Sequence, residues 1–393
     1  MKIWDFKFMN MKKVASIIFV LLIFCFFFLN QESYAKGSFR IIRHLPVCDD
    51  QMPVKLNDNE IFFPGNWDSG AKILKIDEEK FIDLNTNMTI PRRSYHALKL
   101  DENNVLISVG EANTNDFKKL NKTRTSIEIY NRKTNRFTLV QNTFIPKRSI
   151  VLNKDEIFTF HRDETGSYFR IFNVKTKTFD ETIGKRFSKR ATKEERKTSV
   201  TDKDFNSAIY HKSPTYFLLD DGRVFIYEIE DYLNDKEITR DAIELYDPKT
   251  KTFEKIPLSK GVRLYTTYVK LDNGKVLFIG SEGRVGADVI EFDPTTNKFQ
   301  KYDKWNFPLN SADAITLNDN KIILLKGEVY IDDVFSRLNK GLEHAVYDVT
   351  NKKLSKVRII TGNTDWYTIY PIKIKNNQLF LFENKQKIKV YEY

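Results

Sequence analysis

The chain has 393 residues, 41% hydrophobic and 13% aromatic, so it can bury a sizeable core and is not a disordered or low-complexity polypeptide. Two cysteines exclude a disulfide-framed scaffold. The formal charge of +11, from 64 Lys and Arg against 53 Asp and Glu, fits either acidic partners or a lysine-rich surface that serves solubility alone.

The first element is a targeting segment. Lys12 and Lys13 precede an apolar run from Val14 to Leu29, followed by Asn30-Gln31-Glu32 and Ser33-Tyr34-Ala35. A basic start, an apolar centre and small residues at −3 and −1 predict a signal peptide over residues 1–35, cleaved after Ala35. The alternative is an uncleaved membrane anchor, since Val14–Leu29 is only slightly short for a spanning helix. Cys25 does not read as a lipoprotein cysteine, because bulky Phe24 precedes it and the apolar run continues past it. Cleavage removes Cys25 and leaves Cys48, so no intrachain disulfide can form. It also removes Lys2, Lys7, Lys12 and Lys13 with Asp5 and Glu32, which lowers the charge to +9. The expected location is secreted, periplasmic or cell-surface. There a basic excess suits anionic glycans, polymers or membrane surfaces rather than nucleic acid.

Ser38–Leu45 comes next, a lone strand-like segment with no local partner. Thereafter the chain repeats. An apolar run follows a polar turn at Asn59–Phe63, Asn104–Val109, Glu156–Phe160, Asp221–Tyr227, Asn273–Ile279, Asn320–Leu325 and Gln378–Phe382. Downstream, an aromatic followed by Asn or Asp leads to Phe or Leu seven positions on: Tyr130 to Phe137, Phe172 to Phe179, Tyr246 to Phe253, Phe292 to Phe299, and Tyr347 to Leu354. A shorter copy runs from Ile76-Asp77 to Phe81. Asn or Asp suits the start of such turns, because its side chain caps backbone N–H groups. The clearest copy predicts strands over Tyr265–Leu271, Val276–Gly280, Asp288–Asp293 and Phe299–Tyr302. One such four-stranded sheet cannot bury both its faces alone, so the copies must stack.

Seven copies at a period of roughly fifty residues resemble the kelch and galactose-oxidase-like β-propellers over residues 38–393. Pro91-Arg92-Arg93-Ser94-Tyr95-His96, entering a first strand, adds to the resemblance. The departures are a single glycine after the second strand (Gly65, Gly110, Gly280, Gly327), none in the third and fourth copies, and Phe or Leu for the usual last-strand Trp. The resemblance implies an all-β propeller over residues 36–393, with seven four-stranded blades and with six or eight as alternatives. Ser38–Leu45 would close the ring by joining the last copy, Ile369–Lys375, Gln378–Glu383 and Lys387–Tyr393, which has only three strands. A copper radical oxidase of this family would need a blade cysteine beside a ligand tyrosine. The mature chain has only Cys48, before the first copy, so no cofactor is expected.

Three inter-blade linkers are alike and basic: Ile90–Ser94 with Arg92 and Arg93, Ile145–Ser149 with Lys147 and Arg148, and Ile256–Arg263 with Lys260 and Arg263. The link between the third and fourth copies is enlarged into a basic insertion, 183–206. Equivalent linkers of a propeller surround one axis, so these cations predict a collar for carboxylate, sulfate or phosphate; a plain solvated surface is the alternative. The long loops Glu111–Arg124, Ile229–Asp241 and Glu328–Glu343 share that face. Five histidines, His44, His96, His161, His211 and His344, lie at no metal-ligand spacing. By the resemblance His96 is a core residue, while His161 and His344 fall beside the ligand-side loops and are weak site candidates. Two functions follow. One is an extracytoplasmic, monomeric module that binds a protein, glycan or other anionic partner. The other is a cofactor-free enzyme resembling secreted kelch epimerases of acidic sugars; Arg92 or His161 beside a buried carboxylate in the channel would mark it.

Overall fold

The computed structural model describes residues 38–42, 52–66, 69–110, 125–141, 143–146, 148–163, 166–180, 183–187, 214–227, 232–233, 236–237, 242–259, 262, 264, 267–280, 288–305, 309–310, 313–317, 321–325, 328–329, 342–354, 358–360, 369–374, 377–383 and 387–393. The expected targeting segment, Cys48 and residues 188–206 of the expected insertion lie outside them.

Among the described residues every regular element is a strand; the strands form seven antiparallel blades and two small two-stranded sheets, Tyr232–Leu233 with Lys236–Glu237 and Leu309–Asn310 with Glu328–Val329. The fifth blade follows the sequence pattern closely, with strands Thr267–Lys270, Val276–Gly280, Asp288–Asp293 and Lys298–Lys304 paired in chain order. The seven inner strands are Val54–Asn57, His96–Lys99, Ile150–Asn153, Thr215–Leu218, Thr267–Lys270, Asp313–Thr316 and Ile369–Ile374. The ring is visible in its core. Seven apolar clusters each join two neighbouring blades, including one with Ile61 and Phe63 of the first blade against Phe380 and Phe382 of the seventh. The fold is a seven-bladed β-propeller.

Local chemistry explains the blades. Second strands such as Glu60–Phe63, Val224–Tyr227 and Val276–Gly280 are buried along their whole length, because both faces meet a neighbour; this is why they read as unbroken apolar runs. The seven-residue spacing is the hairpin of strands three and four. Tyr130 lies opposite Phe137, Phe172 opposite Phe179, Tyr246 opposite Phe253, Phe292 opposite Phe299, and Tyr347 opposite Leu354. The short first copy pairs Leu74 with Phe81.

Ser38–Ile42 runs antiparallel to Lys387–Glu392, from Ser38 opposite Glu392 to Ile42 opposite Ile388, and supplies the outer strand of the last blade. One expectation shifts. The 183–206 segment does not start as a loop, because Ile183–Phe187 pairs with the third strand Gly166–Asn173 and extends the outer edge begun by Thr178–Phe179. Asp221–Arg223 forms the expected polar turn before the strand Val224–Tyr227, and Asp221 Oδ1 accepts the Arg223 N–H at 3.0 Å.

Candidate functional site

Chain direction gives the propeller two different ends. The turns that leave inner strands and those joining third to fourth strands lie at one end. The inter-blade linkers and the loops between second and third strands lie at the other.

At the linker end the expected collar divides. Arg92 is 0% exposed and presents nothing to a ligand, which corrects its place among the collar cations. Its Nε donates to Ile90 O (3.2 Å), its Nη1 to Val109 O (3.2 Å) and Ser126 O (3.0 Å), and its Nη2 to Ser126 Oγ (3.3 Å) and Glu128 Oε1 (3.1 Å). Glu128, also 0% exposed, accepts the N–H groups of Thr89 and Ile90 at 2.6 and 3.0 Å. Burial draws the Arg92 guanidinium below its ordinary value, and Glu128 opposes the shift. This is a basic group beside a buried carboxylate, but it sits inside the second blade with its donors taken. It is architectural, and does not mark an enzyme.

Arg93 and Arg148 are exposed; Lys147, Lys260 and Arg263 lie outside the described residues. Arg148 stands at φ +69° where its linker enters the third blade. Its charge acts on the hydroxyls of Tyr216 and Tyr268, equivalent inner-strand residues of blades four and five. Burial pushes both hydroxyls up, and Arg148 opposes that shift at each. The two phenols also feel each other. Their rings are clamped: Tyr268 stacks on Phe217 with centroids 4.0 Å apart, and Tyr216 packs edge-on to Phe158 and Phe169. The charge of exposed Arg148 thus reaches two ring-clamped phenols on the next two blades. Arg148 is legible in the sequence as a linker cation, whereas neither tyrosine is. Their only signal was an aromatic at one matched inner-strand position in two copies.

The weak histidine candidates lie on blades three and six. His161 Nε2 lies 2.8 Å from Thr159 Oγ1, with the ring stacked on Tyr168 and edge-on to Phe179, all within blade three. His344 pairs with Leu325 and Arg358 in blade six, and its side chain lies outside the described residues.

The opposite end carries lysines that the sequence analysis did not single out. Lys55 Nζ donates to Lys373 O (2.9 Å), Lys99 Nζ to Leu56 O, Lys373 Nζ to Leu317 O (3.3 Å), and Lys270 Nζ to Asp220 Oδ1 (2.7 Å). Thr316 Oγ1 takes the equivalent place in blade six and donates to Lys270 O. Each strap reaches back to the preceding blade. A repeated signal was present in Lys55-Leu56-Asn57, Lys99-Leu100-Asp101 and Lys270-Leu271-Asp272.

No family of known proteins matches the chain, and no curated protein matches it in sequence. Solved structures do. A fungal alcohol oxidase of the AA5 family, solved with copper, superposes with a TM-score of 0.53 at 12% identity, over 90% of this chain and 71% of that one. Virginiamycin B lyase from Staphylococcus aureus gives 0.53 at 9% identity, over 91% of this chain and 100% of that one. At such identities the likeness is one of fold. Among the described residues no group of three or more His, Cys, Asp or Glu is placed to hold a metal ion.

Proposed function

We propose that this chain is an exported, kelch-type propeller acting as a binding module, with an anionic glycan or polymer held at its linker-side mouth. The observation that carries the reading is the Arg148, Tyr216 and Tyr268 group. A planar guanidinium supplies charge and paired donors for a carboxylate, sulfate or phosphate. A phenol is protonated at neutral pH, so the Tyr216 and Tyr268 hydroxyls can donate hydrogen bonds. Arg93 adds a second exposed cation on the neighbouring linker. Export rests on the Lys12–Ala35 segment.

The test uses protein that begins at Lys36 and is recovered from outside the producing cell. It is titrated with acidic oligosaccharides and teichoic-acid-like polymers at two salt concentrations. Arg148→Gln is expected to weaken binding by about tenfold or more, as loss of a charged hydrogen bond does, and Tyr268→Phe by less. Binding should fall with salt, because exposed charges are screened within about 8–10 Å at moderate ionic strength. Equal affinity for Arg148→Gln, or indifference to salt, would overturn the reading; turnover of an acidic sugar would replace it with an enzyme.

A further inference from the structure

The turn end of the propeller holds a cavity of about 370 Å³ at the seam where the ring closes. It lies between the first and seventh blades. Asn57, Asp58 and Asn59 reach it from the first turn of blade one, Ile76 and Asp77 from that blade's second turn, and Ile374 and Gln378 from blade seven. Its volume is at the small end of the about 300–1,000 Å³ typical of small-molecule sites.

Its polar groups can be accounted for one by one. Asn57 Oδ1 accepts the Asn59 N–H at 2.8 Å, and Asn57 Nδ2 donates to Glu60 Oε2 at 2.6 Å. Asn59 Oδ1 accepts the Asp77 N–H at 3.0 Å, and Gln378 Nε2 donates to Glu392 Oε1 at 3.0 Å. Asp58 is paired with Lys55 at 2.8 Å. These bonds leave Asn59 Nδ2 as a donor, with Gln378 Oε1 and the exposed Asp77 carboxylate as acceptors. Buried Ile76 and Ile374 supply apolar wall. Such a lining is matched by a compact molecule whose hydroxyls both donate and accept, whose ring carbons meet the isoleucines, and whose cationic group faces Asp77.

We propose that this cavity binds a monosaccharide-sized polyhydroxylated amine, of the hexosamine class. The site is separate from Arg148 and opposite to it in charge preference. Its position has a consequence: a ligand touching blades one and seven ties together the first and last blades of the ring. It therefore binds the closed ring better than an opened one and stabilises it by mass action.

The experiment uses the chain from Lys36 in an Arg148→Gln background, so that the anion site is silent. Glucosamine, glucose and glucuronate are titrated by calorimetry, with thermal melts at matched concentrations. Glucosamine should bind at least tenfold more tightly than glucose, and glucuronate more weakly than either. At ten times its Kd, glucosamine should raise Tm by about 2 °C. Asp77→Asn, an isosteric change at an exposed turn residue, should abolish the preference for the amine. Absence of glucosamine binding, or an unchanged amine preference in Asp77→Asn, would overturn the proposal whatever the outcome at Arg148.

Discussion

Arg92 shows how a residue's depth changes its meaning. Its guanidinium fits between the end of the second strand and the start of the third in blade two, bonded to Val109 O, Ser126 O and Glu128. Gly110 makes that fit possible. It stands at φ +104°, and a Cβ there would lie 2.8 Å from Arg93 O and 3.2 Å from both Cβ and Cδ of Arg92. Breaking a buried pair by removing one partner leaves an uncompensated charge and typically costs about 3–5 kcal/mol. Arg92→Met is therefore expected to lower unfolding stability in urea by that order, with Arg92→Met/Glu128→Leu recovering part of it. A single variant that unfolds at the parent's urea concentration would show that the pair does not support the fold. The hint in the sequence was Glu128 itself, an acid within the apolar strand Ser126-Ile127-Glu128-Ile129-Tyr130. A carboxylate there demands a partner, and only the fold says which cation answers.

At the scale of the element, the hairpin of strands three and four recurs with the same local solution. Asn131, Asn173, Asp247, Asp293 and Asp348 cap N–H groups two or three residues on, at 2.8–3.0 Å. Asn135, Lys177, Lys251, Asn297 and Lys352 then take φ between +51° and +61° just before the outer strand. The left-handed region costs an ordinary L residue about 1–2 kcal/mol, and Asn less because its amide bonds locally. Lys251 is exposed and its approach to Asp180 is long, at 3.9 Å, so little else is at stake there. Lys251→Asn should raise the melting temperature slightly and Lys251→Val should lower it. A valine variant that melts like the parent would refute the assignment of strain to this position. This element was readable from sequence because all its determinants lie within a few residues.

For the whole molecule the deciding feature is closure. Six blades are each built from one continuous stretch of chain, whereas the seventh borrows Ser38–Ile42 from the other end of the chain. Lys55 and its bond to Lys373 O tie the same seam at the inner strands. Deleting residues 38–42 would leave Lys387–Glu392 as an unpaired edge, which invites association with other chains. We expect that deletion to lower Tm by several degrees and to produce aggregates in light scattering. A monomeric deletion variant with the parent's melting temperature would show that the core between blades one and seven closes the ring without the strand.

The sequence by itself determined the strands, their turns, the number of copies and the closing segment. The strands and turns follow from Asn and Asp turn starts and apolar runs, which are local, and the closing segment from a lone strand beside a last copy of only three strands. It could not decide which linker cations face solvent. Ile90-Pro91-Arg92-Arg93-Ser94 and Ile145-Pro146-Lys147-Arg148-Ser149 read almost alike, yet Arg92 is buried on Glu128 while Arg148 is exposed near Tyr216 and Tyr268. Which groups meet depends on how neighbouring blades stack around the axis, and only the closed ring sets those long-range contacts.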